Sequence, residues 1–315
     1  MRLAQLITQY VTFRKNLGES FENDGRILQS FSRMIGETAE ISDVQAERVK
    51  AFLDGRGPIT RYWYRKHTAL RGFYRFAMSR GYVAAAPLPT IIPKHPERFV
   101  PYIYSREELR RLLDGTTSYQ KQRLLMEPNT FRTILLTLYG AALRASEGLS
   151  LTLSDVDLSQ SLLTIRDTKF YKSRLVPLGY ELNDAMLRYA RQRKAAGHSQ
   201  EEKAPFFINK LGEPIPIDLL QRAFRRLRKQ TGIHRAESAR YEPRIHDLRH
   251  SAAVHRLTTW YREGRDVQKL LPLLSTYMGH ADISGTQHYL TMTPELLQQA
   301  SIRFASYAFL EVSRG

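Results

Sequence analysis

Residues 131–179 read FRTILLTLYGAALRASEGLSLTLSDVDLSQSLLTIRDTKFYKSRLVPLG. The first half has the apolar spacing of a buried helix, is broken at Gly140, and continues as a second short helix. The second half predicts two strands, from Leu162 to Ile165 and from Arg174 to Leu178, joined by the polar segment DTKFYKS. Most other segments of the chain have helical patterns. The sequence therefore predicts a mainly α fold with a small antiparallel β-sheet.

The segment before this region predicts a separate helical domain. Residues 1–85 have helical apolar periodicity, and the last predicted helix runs from about Thr60 to Ser79. Residues 86–100, APLPTIIPKHPERFV, are rich in proline, which ends helices and favours extended chain. A capping-box-like SREE at residues 105–108 begins the next helix. We therefore predict two domains, residues 1–88 and 104–315, joined by a linker at residues 89–103.

The charge of the chain indicates a polyanionic partner. The formal net charge is +17 and the pI is about 10.1. Lys and Arg outnumber Asp and Glu in both predicted domains. Because each Lys or Arg that replaces a counterion on a phosphate adds affinity, nucleic acid is the expected partner. A ribosomal or RNA-binding protein, or merely a basic surface, is the alternative.

The helix at residues 61–80, RYWYRKHTALRGFYRFAMSR, interleaves basic and aromatic side chains. The aromatic side chains are typical of a core, and the basic ones suit phosphates. The candidates for contact with DNA are Arg61, Arg65, Lys66, Arg71 and Arg75.

Composition also limits where the protein can act. No apolar run approaches the ~18 residues of a membrane span, and the charged N-terminus is not typical of a signal peptide. The chain has no cysteine, which excludes disulfides and thiolate metal sites. We therefore expect a cytoplasmic, nucleoid-associated protein with no membrane partner.

Arg144 and Glu147 form the first candidate for a functional pair. They are three residues apart in GAALRASEGLSL, so they share one helical face. A solvated surface pair is the usual fate of such residues. Here the segment is otherwise apolar, which favours an inward Arg144. Its guanidinium would then be bound by Glu147 on one side and by a phosphate on the other.

HDLRH, at residues 246–250, places His246 and Arg249 at positions i and i+3 of a helix. They would therefore point toward one place, although this short pattern also occurs by chance. We interpret the neighbouring His250, and His255 further along, as structural.

GHADISGTQHYLT, at residues 279–291, supplies His280 and Tyr289. A tyrosine hydroxyl has a pKa of about 10 and is a poor nucleophile until its charge is stabilised. Paired guanidinium groups, a proton donor and imidazoles are the groups that such a nucleophile needs to attack a phosphodiester. The chain has 17 tyrosines, so Tyr289 alone proves nothing.

The joint order of R-x-x-E, a hairpin lysine, H-x-x-R, G-H and a late tyrosine resembles the tyrosine recombinase (phage integrase) family. The resemblance implies a helical SAM-like core-binding domain and an α/β catalytic domain. It implies that the enzyme cleaves and rejoins DNA through a 3′-phosphotyrosyl intermediate, without a cofactor or a metal. The catalytic residues that it implies are Arg144, Lys169, His246, Arg249, His280 and Tyr289, with Glu147 supporting them.

The hairpin lysine is placed by this resemblance. Lys169 precedes KSRLVPL, residues 172–178, which is similar to an element that follows the catalytic lysine in the family. The resemblance gives Lys172 or Arg174 a contact with the DNA backbone. Phe170 stands where the family often has glycine, so Lys172 remains the alternative proton donor.

The resemblance also implies double-stranded DNA with roughly inverted half-sites and a homotetramer on two duplexes. His280 lies 34 positions after His246, a spacing longer than in compact relatives, which suggests a role in a mobile element. The helix expected at residues 294–311 would dock on a neighbouring protomer or pack on its own domain. The alternatives are a type IB topoisomerase and a DNA-binding regulator that has lost catalysis.

Overall fold

The computed structural model describes residues 1–96, 99–118, 126–166, 173–235, 241–280, 282–291 and 296–302. The chain divides into two compact units, Met1–Phe99 and Val100–Gly315. The described residues are mostly helical, with a small antiparallel sheet, and the predicted fold class is confirmed.

The first unit is helical, and its apolar faces bury a core around Phe31 and Phe73. The last helix begins at the predicted place, because Thr60 Oγ1 accepts a hydrogen bond from the Tyr62 backbone N–H at 3.2 Å. The α-helices of the unit are α1 (Leu3–Asn16), α2 (Glu22–Ile35), α3 (Ala46–Asp54) and α4 (Arg61–Ser79).

Part of the predicted linker packs on this first unit. Tyr64 Oη donates a hydrogen bond to the Pro93 carbonyl at 2.7 Å. The Tyr64 ring also stacks on His95, with 3.8 Å between the ring centres. Residues 93–95 are therefore held by α4, and the linker boundaries predicted above remain a prediction.

The second unit places helices around a three-stranded sheet of order β1–β2–β3. In the β2–β3 hairpin, Leu162 pairs with Pro177 and Ile165 pairs with Arg174. Isolated bridges outside these strands join Thr152 to Pro205 and Ile208 to Pro214. The strands are β1 (Val156–Asp157), β2 (Leu162–Ile165) and β3 (Arg174–Pro177). The helices are α5 (Arg106–Ser118), α6 (Pro128–Gly140), α7 (Ala145–Leu149), α8 (Tyr180–Ala195), α9 (Ile217–Gln230), α10 (Asp247–Arg262), α11 (Val267–Met278) and α12 (Ser284–Gln287).

The predicted break at Gly140 is a tight turn between α6 and α7. A Cβ on Gly140 would lie 2.9 Å from Leu182 Cδ2, so helix α8 packs against its bare backbone. The chain then reverses at Ala142, which has a φ of 49°, a conformation that is uncommon for a residue other than glycine. This turn brings Arg144 to the start of α7.

An apolar cluster between α10 and α11 lies beneath the turn that carries His280 and Tyr289. It includes Ala142, Leu257, Met278, Tyr289 and Leu296. Residues 296–302 are helical, and Leu296 is fully buried in its own unit. The rest of the predicted C-terminal helix lies outside the described residues. No helix within the described ranges is long and apolar enough to cross a membrane.

Candidate active site

Arg144 is oriented by Glu147, as the sequence predicts. The Arg144 backbone N–H donates to Glu147 Oε2 at 2.9 Å, and its Nη1 donates to Oε1 at 2.6 Å. Its Nη2 donates to the Gly279 carbonyl at 3.2 Å. The Arg144 side chain is 32% exposed. The guanidinium is therefore fixed by the protein and still open to an anion from solvent.

Glu147 binds two further guanidinium groups. Arg174 Nη1 and Nη2 donate to its two carboxylate oxygens at 3.1 and 2.9 Å, and Arg249 Nη1 lies 3.6 Å from Oε2. Burial alone would raise the pKa of Glu147, but hydrogen bonds from Arg174 and the Arg144 backbone lower it to about 2. The carboxylate therefore stays ionised among three cations. We call Arg144, Glu147, Arg174 and Arg249 the arginine cluster.

Arg249 is the interior member of this cluster, with 2% of its surface exposed. It donates from Nη1 to the Ala142 carbonyl at 2.6 Å and from Nη2 to the Met278 carbonyl. Burial, reinforced by the charge of Arg144, lowers the pKa of Arg249 to about 10, so it remains charged at neutral pH.

Arg174 has partners other than the DNA phosphate that the sequence suggests. Besides Glu147, its Nε donates to the Tyr277 carbonyl at 3.0 Å. Its guanidinium also covers Gly279, where a Cβ would lie 2.5 Å from Nη1 and where φ is +67°. Glycine is needed there for both reasons. Arg174 thus joins strand β3 to the turn that carries His280.

His246 stands at the N-cap of α10, and His250 follows one turn later. Their ring centres are 4.8 Å apart. Burial, with the nearby Arg249, lowers the pKa of His246 to about 4. Burial, with the nearby His246, lowers the pKa of His250 to about 3. Both imidazoles are therefore neutral at pH 7.

Tyr289 lies in a 3₁₀ turn, His288–Thr291, and only 1% of its surface is exposed. Its Oη is 2.9 Å from His250 Nδ1. Burial raises the pKa of Tyr289 to about 12, although the positive charges of Arg249 and Arg144 act to lower it. The phenol is therefore protonated at neutral pH and lies within the field of two members of the arginine cluster.

His280 stands beside Tyr289, with 6.1 Å between the ring centres. Its Nδ1 is 2.6 Å from Oγ1 of Thr286, which is fully buried. This contact fixes the ring and directs the other ring nitrogen away from Thr286. Burial lowers the pKa of His280 to about 4. We call His250, His280, Thr286 and Tyr289 the tyrosine turn.

The chain is similar to known proteins of one family. Residues 105–295 match the phage integrase family. Over 302 residues the chain is 31% identical to the putative integrase/recombinase y4rB of Sinorhizobium fredii, covering 95% of this chain and 96% of that protein. Over 314 residues it is 30% identical to the tyrosine recombinase XerC of Chlorobaculum tepidum, covering 94% and 88%.

The chain belongs to the phage integrase family. It is a tyrosine recombinase, an enzyme that transfers DNA strands, and the predicted resemblance is confirmed. A solved structure of the Tn1549 transposon integrase, in complex with a circular intermediate DNA, has the same fold. It superimposes with a TM-score of 0.68 at 18% identity, covering 96% of this chain and 99% of that one.

The segment that joins β2 to β3 in this recombinase carries the two candidate lysines. Lys169 and Lys172 lie outside the described residues, so their catalytic and DNA-binding roles remain predictions. Among the described residues, no group of three or more His, Asp or Glu side chains could hold a metal ion.

The basic residues of helix α4 in this recombinase are of two kinds, exposed and buried. The exposed ones are Arg61, Arg65, Arg71 and Arg75, which fall on one face of the helix at 100° per residue. Arg65 forms an ion pair with Asp24 at 3.1 Å. This exposed face is suitable for phosphates, and contact with DNA remains a prediction.

Lys66 requires a correction. The sequence predicts a contact with DNA, but this side chain is buried, and its Nζ donates to the Leu53 carbonyl at 2.8 Å and to the Phe52 carbonyl. These carbonyls end α3, where a cation satisfies acceptors that the helix leaves unpaired. Burial lowers the pKa of Lys66. Lys66 therefore stabilises the end of α3 and is not available to a phosphate.

Sequence reasoning gave two residues of the site other roles, Arg174 as a DNA contact and His250 as structural, and did not name Thr286. For Arg174 a signal was present, because strand alternation places it on the same face as the buried Val176. His250 adjoins the H-x-x-R motif, but nothing in the sequence pairs it with Tyr289. Thr286 lies between His280 and Tyr289 in the sequence, but nothing there pairs it with His280.

Proposed function

We propose that this recombinase acts on specific DNA sites and cleaves them through a 3′-phosphotyrosyl intermediate formed on Tyr289. The observation that carries the proposal is the placement of the Tyr289 phenol within the field of Arg144 and Arg249. A phenol that attacks a phosphodiester must meet an anionic target and must itself become anionic. Fixed cations at that place reduce both costs.

Within the arginine cluster, Arg144 would bind the scissile phosphate, and the buried Arg249 would add its charge behind it. Arg144 has the exposed guanidinium, and Glu147 holds it in place before DNA arrives. Groups that are already oriented need little reorganisation during the reaction, which is why such donors contribute strongly to rate. Neutral His246 and His280 would donate hydrogen bonds to the phosphate oxygens.

The bond changes balance without an external energy source. Tyr289 Oη forms a bond to phosphorus, the bond from phosphorus to the 5′ oxygen breaks, and that oxygen takes a proton from Lys169. The 5′ hydroxyl of a partner strand then attacks the phosphotyrosine and releases Tyr289. One phosphodiester is exchanged for another, so the proposed cycle needs neither ATP nor a metal ion.

Strand exchange also suggests an assembly and a biological role. Two duplexes with two cleavage positions each require four tyrosines, so we infer a homotetramer on roughly inverted half-sites. The likeness to a transposon integrase favours integration, excision or transposition of a mobile element. We infer that the enzyme acts in the cytoplasm, on DNA of the nucleoid.

The test is incubation of the protein with a supercoiled plasmid that carries two copies of any inverted repeat flanking its gene. The proposal predicts recombinant products and a covalent protein–DNA adduct. Relaxation without exchange would indicate a topoisomerase, and a mobility shift without an adduct would indicate a regulator. Tyr289→Phe should bind the same DNA and give no adduct.

A further inference from the structure

We propose that His250 is a catalytic residue that accepts the phenolic proton of Tyr289 when this tyrosine attacks DNA. The inference rests on the proposed function of Tyr289 as nucleophile. In the proposed cleavage step, the phenolic proton of Tyr289 needs an acceptor, and His250 would be that acceptor.

The contact geometry singles out His250 among the imidazoles around the phenol. Its Nδ1 is 2.9 Å from Tyr289 Oη, within the reach that proton transfer requires. His280 directs its Nδ1 to Thr286 at 2.6 Å, and His288 directs its Nδ1 to the Ser284 carbonyl at 3.4 Å. His250 is therefore the imidazole whose ring nitrogen contacts the phenol oxygen.

The protonation state fits this role. A neutral imidazole has one N–H and one bare nitrogen, and a bare Nδ1 can accept from the phenol. The charged or titratable groups around His250 are His246, Arg244, His288 and Arg249, and together with burial they keep this ring neutral. The imidazolium formed on proton transfer would be stabilised by the negative charge of the bound phosphate.

The proton then follows a balanced path. As the bond from Tyr289 Oη to phosphorus forms, the phenolic proton passes to His250 Nδ1. Lys169 gives a separate proton to the departing 5′ oxygen. In rejoining, His250 returns its proton to Tyr289 Oη as the tyrosine leaves, and Lys169 takes the proton of the attacking 5′ hydroxyl.

Helix α10 also supplies a matched control. His255 Nδ1 is 2.8 Å from Tyr139 Oη, which is the same kind of contact. His255 is five residues after His250, so it points about 140° away around the helix. A change at His255 therefore removes a histidine–tyrosine hydrogen bond from the same helix without touching Tyr289.

The experiment measures the single-turnover rate of adduct formation on a nicked duplex that carries the flanking inverted repeat. His250→Ala should form the adduct about 10²-fold more slowly than the parent enzyme, the usual size of a general-base effect, and added imidazole should restore part of the rate. His250→Asn keeps an acceptor near the Nδ1 position but no basic nitrogen, so it should stay slow. His255→Ala should react at the parent rate.

A second substrate separates the two proton transfers. A 5′-bridging phosphorothiolate has a sulfur leaving group that needs no proton donor, so it should rescue Lys169→Ala and leave His250→Ala slow. A parent rate in His250→Asn would overturn the proposal in favour of a structural hydrogen bond. A faster rate in His250→Ala would overturn it in favour of an inhibitory contact. If the parent protein forms no adduct on either DNA, the proposed function itself fails.

Discussion

The arginine cluster and the tyrosine turn lie together but are stabilised in opposite ways. The cluster holds permanent charge, with one buried carboxylate among three guanidiniums. The turn holds neutral groups: the phenol of Tyr289 is hydrogen-bonded to His250, and the imidazole of His280 is hydrogen-bonded to Thr286. The positive charge that would bind a phosphate is therefore built into the fold. The charge on the nucleophile would appear only during reaction.

The largest expected effect of this difference is on stability, at Glu147. Glu147→Ala leaves three guanidiniums close together without their carboxylate, so the free energy of unfolding should fall by about 3–5 kcal/mol. Urea unfolding of the purified protein measures this change. The matched control is Asp184→Ala, which removes an exposed carboxylate paired with Arg188 and should have little effect. Equal losses in both variants would contradict a structural role for the cluster.

Arg144 should affect the rate more than the stability. Because its guanidinium is partly exposed and free to meet a phosphate, Arg144→Ala should slow adduct formation about 10²–10³-fold. Its melting temperature should stay near that of the parent. Arg188→Ala, on the surface of α8, is the control and should keep the parent rate. A large fall in melting temperature for Arg144→Ala would assign this residue to folding instead.

His246 and the two histidines of the tyrosine turn should determine how stability depends on moderate acidity. The pKa values of His246, His250 and His280 are lowered to about 4, 3 and 4. Between these values and the ordinary pKa of about 6.5, the unfolded chain binds more protons than the folded one, so stability should fall as pH falls. Urea titrations from pH 7 to pH 4 measure the slope, and His250→Asn should flatten it. An unchanged slope would contradict the burial of this ring.

The arginine cluster should respond only at lower pH. The lowered pKa of Glu147 contributes stability that is fully present above its unfolded value of about 4.5. That contribution is lost as pH falls toward 2. The histidine contribution therefore begins to fall below about pH 6.5 and the Glu147 contribution below about pH 4.5, so urea titrations continued to pH 2 separate the onset of the two losses.

The smallest expected effects concern DNA binding by exposed and buried basic residues. Arg75→Ala should reduce the slope of log affinity against log salt by about one, because an exposed phosphate contact is lost. Lys66→Met and Arg174→Ala should leave this slope unchanged and should lower the melting temperature. A reduced slope for Arg174→Ala would contradict this expectation and would support the DNA contact that the sequence suggests for Arg174.

The fold and the motif residues were predictable because local patterns determine them. The spacing of apolar residues predicted α4 from Thr60, and the structure begins that helix at Arg61. The i, i+3 spacing predicted the pair of Arg144 and Glu147, which forms. Such features depend on neighbours in sequence, which a single chain displays directly.

The remaining contacts depend on residues that are distant in sequence. Lys66 contacts carbonyls 13 and 14 positions away, and Arg174 contacts Glu147 27 positions away. Composition marks both as basic and therefore as candidates for phosphate, but only tertiary packing determines which acceptor they meet. His250 and Tyr289, 39 positions apart, are paired in the same way.

The most direct test of the central claim is to trap the adduct on a nicked duplex carrying the flanking repeat, digest the protein, and locate the DNA by mass spectrometry. If Tyr289 is the nucleophile, the digest should contain one modified peptide, with the nucleotide on Tyr289, and Tyr289→Phe should give no adduct. A nucleotide on any other residue, or an adduct formed by Tyr289→Phe, would contradict it.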